Sequence, residues 1–206
     1  MKLSINKRDK GFTLIEMMVV VGIIVFITAL SFASYREGQS QYALQLSAQK
    51  LASDLRNAQN MALSTVTGNG EPAPAGGYGI YFNNSAGKNS AYTLFADTNI
   101  NTTDPDLPAY VYSDQDTKLG DTDLKKGVEI GNISLTQNNT AVDTTSAYVI
   151  FTPPDPIITI GPYDLSETSS SPTQLNINIF LTNDSNKCKM VTINKFGKID
   201  IEDCSF

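Results

Sequence analysis

The chain has 206 residues, 41% of them hydrophobic, with no histidine, no tryptophan, two cysteines and a formal net charge of -6. Without histidine it cannot build a Ser–His or Cys–His nucleophile pair or an imidazole-ligated metal centre. Its acidic balance argues against generic binding of nucleic acid, and its length suits one domain with a core of its own.

Lys2, Lys7, Arg8 and Lys10, against Asp9, form a basic leader that ends at Gly11. From Phe12 to Phe32 the chain is apolar almost throughout. As a helix that stretch measures about 31 Å, matching a hydrocarbon core of ~30 Å. Glu16 is the anomaly. An ionised carboxylate in lipid costs roughly 3 kcal/mol or more, so it needs a partner or a task. A secretory signal peptide would be shorter and carry its small-residue cleavage site at the far end, which Ser31-Phe32-Ala33-Ser34 offers only loosely. A plain anchor leaves Gly11, Phe12 and Glu16 together unexplained. Taking away the leader's net +3 leaves -9 beyond it. The positive-inside rule therefore puts the leader in the cytoplasm and the acidic remainder outside.

The block Lys7-Arg8-Asp9-Lys10-Gly11-Phe12-Thr13-Leu14-Ile15-Glu16 and its apolar continuation resemble the class III signal peptides of type IV prepilins and type II secretion pseudopilins. The resemblance implies cleavage between Gly11 and Phe12 by a prepilin peptidase and methylation of the new Phe12 amine. It implies other pilins or pseudopilins as partners through the N-terminal helix, and an inner-membrane assembly platform. Glu16, four residues from that amine, is expected to pair with the amine of a neighbouring subunit during assembly.

The helix is expected to continue. No proline occurs between Phe12 and Ser64, and the proline many major pilins carry near the position of Ala33 is absent. Leu44, Ala48, Leu51, Leu55, Ala58 and Ala62 recur in steps of four and three, one helix face that should lie on a sheet. Thr65 to Pro72 ends it with two glycines and a proline. Strands are expected over 79–82 and 91–95 with a hairpin loop between. Residues 128–130 and 133–135 flank Gly131-Asn132 as a tight hairpin or one bulged strand. Further strands are expected over 148–151, 175–181, 190–193 and 198–201. The stretches 97–127 and 161–174 read as surface loops. The expected fold is α+β and type IV pilin-like, a long N-terminal helix packed on an antiparallel β-sheet head. Its segments are leader 1–11, membrane span 12–33, amphipathic helix half 34–64 and extracytoplasmic head 65–206. Gly-Tyr-Gly-Ile-Tyr-Phe after the helix, then Leu-Phe-Ala-Asp-Thr-Asn, then Val-Thr-Ile-Asn-Lys-Phe-Gly-Lys-Ile, resemble the FimT and pseudopilin-H group of minor pilins.

Three features of the head bear on chemistry. Asp97-x-Asn99-x-Asn101 has the oxygen spacing that opens a calcium loop, and some pseudopilins hold calcium in such a loop. Yet Thr102 and Pro108 stand where an EF-hand needs glycine and glutamate, so a solvated acidic loop is the competing reading. Lys187, Lys189, Lys195 and Lys198 form the one local basic cluster, interleaved with Asp184, Asp200, Glu202 and Asp203. That favours a solvated hairpin edge over a DNA platform. Lys195-Phe196-Gly197 makes a three-residue hairpin loop that sets Asn194 opposite Lys198 and Cys188 opposite Cys204, within disulfide reach. Two unpaired thiols or a slipped register are the alternatives. No enzyme and no cofactor beyond calcium are expected. The resemblance implies a minor structural subunit of an inner-membrane-assembled fibre, for type II secretion or type IV pilus biogenesis. It would sit in the inner membrane, cross it once and then join the fibre. The alternative is a DNA-binding minor pilin for natural transformation.

Overall fold

The computed structural model describes residues 11–64, 74–98, 112–113, 116–153, 157–162 and 172–204, without the side chains of residues 32–36. Among the described residues one helix, α1 (Leu14–Leu63), precedes ten strands. The chain divides into two compact units, Met1–Gln39 and Ser40–Phe206, so α1 contributes to both.

In the first unit, Leu14–Ser31 has a mean hydropathy of 2.5 and none of it is buried within the protein. Such a segment is long and apolar enough to cross a bilayer. Its hydroxyls are satisfied locally. Thr28 donates to the carbonyl of Ile24, and Ser31 to that of Ile27 at 3.0 Å, so neither leaves an orphan polar group on the apolar helix.

In the second unit the strands are β1 (Gly77–Asn83), β2 (Ala91–Asp97), β3 (Thr117–Asp123), β4 (Val128–Gln137), β5 (Thr140–Thr144), β6 (Ser146–Thr152), β7 (Ile157–Pro162), β8 (Gln174–Leu181), β9 (Asp184–Asn194) and β10 (Ile199–Asp203). They build two five-stranded antiparallel sheets, ordered β3-β2-β1-β6-β7 and β10-β9-β8-β4-β5. The stripe Leu44, Ala48, Leu51, Leu55, Ala58 and Ala62 is buried throughout and shares one core with both sheets. Polar ties fix the seam. Tyr92 donates its hydroxyl to Asp54 Oδ2 at 2.7 Å, and Asp54 also holds Lys50 Nζ at 2.5 Å. The Lys125 amide donates to Ser47 Oγ at 3.2 Å.

The first sheet has apolar residues on both faces. Ile80, Phe82, Val149 and Phe151 belong to the main core, while Phe95, Tyr148 and Ile150 form a smaller cluster on the other face. Tyr81 and Tyr112 cover that cluster, their rings stacked 4.3 Å apart. Glycines admit the rings. A Cβ on Gly79, opposite Phe95, would come within 2.5 Å of that ring, and one on Gly161, opposite Tyr148, within 2.4 Å of its hydroxyl.

Several expectations need correction. The antiparallel head is as expected, and among the described residues it is divided into two sheets. The loop expected over 97–127 contains β3, whose side chains are mostly exposed because it is an edge strand, so no buried face marks it in the sequence. The edge strand β5 is likewise unanticipated. Asn138 and Asn139 turn β4 into it with φ of 48° and 65°, the paired left-handed residues of a type I′ hairpin. β7 was also not expected, and its last two residues intrude on the loop expected over 161–174. Of the two readings at Gly131-Asn132, the bulged strand is the one observed: β4 runs through them, with its register against β8 shifting between Ile130 and Ile133.

Candidate functional site

The N-terminal block is built around a helix start. Gly11, Phe12 and Thr13 are non-helical and exposed, and α1 begins at Leu14. Thr13 is the N-cap: its Oγ1 accepts the Glu16 amide at 3.3 Å, and its carbonyl accepts the Met17 amide at 3.2 Å. Thr13-Leu14-Ile15-Glu16 is thus the Thr-x-x-Glu pattern of a capping box, a signal the sequence reading passes over. Glu16 lies in the first turn, where a carboxylate also complements the positive end of the helix dipole. No cation of the described residues pairs with it. The Gly11–Phe12 peptide bond therefore lies in open, non-helical chain immediately before the helix. Among the described residues no other group comes within 4 Å of a Cβ position on Gly11.

At the other end of the chain, the last hairpin has the expected register. Ile193 faces Ile199 and Lys189 faces Asp203, which continues to Cys188 and Cys204. Those cysteines are disulfide-bonded, with Cα atoms 5.7 Å apart. Gly197, at φ 82°, takes the left-handed position of the loop, and its amide donates to the Asn194 carbonyl at 2.9 Å. The bridge closes the free end of an edge strand.

The basic cluster is answered by carboxylates. Lys187 lies 3.8 Å from Asp184, Lys189 2.5 Å from Asp203 and Lys198 2.7 Å from Asp200, while Lys195 sits over the exposed ring of Phe196 at 5.3 Å. Asp200 holds the Lys198 ammonium above its ordinary pKa.

Of the oxygen ligands expected for calcium, Asp97 alone lies among the described residues. Asp97 is the last residue of β2 rather than part of a loop, and its side chain is fully buried, packed where a Gly76 side chain would be. Asn99 and Asn101 lie outside the described residues. Burial, with the Asp97 charge as a lesser cause, pushes the Tyr148 phenol well above its usual pKa.

Residues 6–32 match the family described as the prokaryotic N-terminal methylation motif. No curated protein and no solved structure matches the chain. The matched residues span the end of the leader, the exposed Gly11–Phe12 bond, the capped Glu16 turn and the apolar helix. A methylation motif and apolar span, followed by an amphipathic helix packed on antiparallel sheets, give the chain a type IV pilin-like architecture.

Proposed function

We propose that the chain is a minor structural subunit, a pseudopilin or minor pilin of the FimT and pseudopilin-H kind, in a fibre assembled from the bacterial inner membrane. The observation that carries this reading is the coincidence, within residues 6–32, of the methylation motif with an exposed Gly11–Phe12 bond and an apolar helix that the chain itself leaves uncovered. The peptidase removes residues 1–11 on the cytoplasmic side and the Phe12 amine is methylated. The span then passes from lipid into a bundle of like helices, where Glu16 meets the amine of a neighbouring subunit. The head stays outside the membrane, in a compartment oxidising enough to keep the disulfide. Its role is structural rather than catalytic.

Intact mass of the protein extracted from a host with an active prepilin peptidase tests the reading. A chain beginning at methylated Phe12 is expected, and one that keeps residues 1–11 overturns it. Glu16→Leu is expected to insert normally, since it removes a charge from lipid, yet to be lost from sheared fibres. Normal incorporation of Glu16→Leu would show that the carboxylate has no part in assembly.

A further inference from the structure

Beside the stacked Tyr81 and Tyr112, the face of the first sheet turned away from the main core opens into a groove of about 570 Å³. Ligand pockets commonly measure ~300–1,000 Å³. Its lining includes small residues, Ala91 and Thr93 on β2 and Ser146 on β6, among larger ones. Between a tyrosine and a lysine, such residues leave a depression in a sheet surface.

Most polar groups in the groove are held in place, and its charged side chains are Lys88, Lys118 and Asp121. Lys118 Nζ lies 2.6 Å from Asp121 Oδ2, and Thr93 donates its hydroxyl to Asp121 Oδ1 at 2.7 Å. Both contacts keep that carboxylate ionised. Asn83 donates its amide to the Tyr81 hydroxyl at 3.1 Å. Lys88, on the β1–β2 loop, is exposed and has no ion-pair partner among the described residues.

This inventory discriminates between occupants. A phosphate or polyanion would gain from Lys88, but Asp121 answers Lys118 and would repel an anion from the same groove. A purely apolar ligand would strip water from Asp121 and Lys88 and return nothing. A molecule with apolar ring faces and a rim of hydroxyls meets both demands. Its faces lie along tyrosine, while its hydroxyls donate to a fixed carboxylate and accept from an ammonium.

We propose that the groove binds a neutral saccharide, with the Tyr81 and Tyr112 rings as its apolar wall, Asp121 accepting from sugar hydroxyls and Lys88 donating to them. The site stands apart from the methylation motif and does not depend on the fibre role.

The test uses the full chain in a detergent without a sugar headgroup. It is applied to an array of neutral hexose and N-acetylhexosamine oligosaccharides beside sialylated and sulfated ones. The best neutral binder is then titrated by tyrosine fluorescence, which is unobscured because the chain lacks tryptophan. Retention of at least one neutral oligosaccharide is expected, and it should persist at about 0.5 M salt, where exposed charges are screened. Tyr81→Ala and Asp121→Asn should each weaken binding roughly tenfold, and Lys88→Ala about threefold. Lys88 is an exposed loop residue, so Lys88→Ala should keep the melting temperature and separates lost contact from lost fold. Retention of no neutral glycan, retention of charged glycans alone, or unchanged affinity in both Asp121→Asn and Lys88→Ala would overturn the proposal.

Discussion

Leu30 and Leu51 occupy the same helix, yet Leu30 is 61% exposed and Leu51 fully buried. From Leu14 to Ser31 the chain covers none of its own apolar surface, whereas from Leu44 to Ala62 a single stripe is covered completely. The backbone is alike in both halves, so what differs is who supplies the partner. An apolar surface on all sides calls for lipid or other helices, and an apolar stripe calls for one packed surface. The first half is left uncovered by the described residues. The second depends on the two sheets, and substitutions in each should register in different assays.

The widest separation is expected from equivalent substitutions in the two halves. Leu55→Asp places a charge in the shared core, costing about 5 kcal/mol or more, comparable with the whole stability of a domain. A protein lacking residues 1–33 should be soluble and melt cooperatively, and the Leu55→Asp version of it should not. Leu51→Ala should cost ~2–5 kcal/mol there. Leu30→Ala in the full chain should leave head melting unchanged. Equal effects of Leu30→Ala and Leu51→Ala on calorimetric melting would erase the distinction between the halves.

The Cys188–Cys204 bridge tests whether the second half's partner is itself pinned. Its cysteines are 16 residues apart, and closing a loop of about that length contributes ~3 kcal/mol. Cys204→Ser should lower the melting temperature without loss of fold. Alkylation of the oxidised protein without reductant should label no cysteine, and two labelled thiols would refute the bridge.

A smaller effect is expected at the helix–sheet tie. Tyr92→Phe removes the hydrogen bond to the Asp54 carboxylate, worth about 2 kcal/mol. It should also change the alkaline limb of stability. Burial first, then Asp54, raises the folded Tyr92 pKa above its unfolded 10.0, so the unfolded chain gives up its proton first. Stability from this residue is fully present below about pH 10 and falls as pH rises beyond it. Tyr148, raised mainly by burial, acts in the same window. Melting temperatures from pH 8 to pH 12 should therefore fall less steeply for Tyr92→Phe than for the parent protein. An identical slope would mean that Tyr92 is not the group being titrated.

The same contrast governs what the sequence discloses. Leu44 to Ala62 was legible because a helix face buried on one side leaves a periodic trace, and the hairpin 188–204 because its loop fixes the register. The strands β3 and β5 left no such trace. Thr117–Asp123 and Thr140–Thr144 lie at sheet edges with mostly exposed side chains, and the Asn138-Asn139 turn is a local signal for the second of them alone. At the candidate site Gly11, Phe12 and Glu16 were visible as a motif, but the N-cap role of Thr13 appears only in its bond to the Glu16 amide. The burial of Asp97 at the end of β2 was not legible, because spacing alone does not show that a strand runs through it.

The smallest effect is expected where an interaction lies next to the disulfide and resembles it only on paper. Lys189 and Asp203 face each other one position from the cysteines, 2.5 Å apart, but Asp203 is 81% exposed. Water competes for both charges, and pairs of this kind contribute about 0–1 kcal/mol. Lys189→Ala should therefore lower the melting temperature by no more than about 2–4 °C, and most of that difference should vanish at ~0.5 M salt. Cys204→Ser should lower it several times as far at either salt concentration, because a covalent constraint on the unfolded chain is not screened. Equal losses from the two substitutions would mean that the ion pair rather than the bridge closes the hairpin, and the C-terminal strand would then loosen with salt as readily as with reductant.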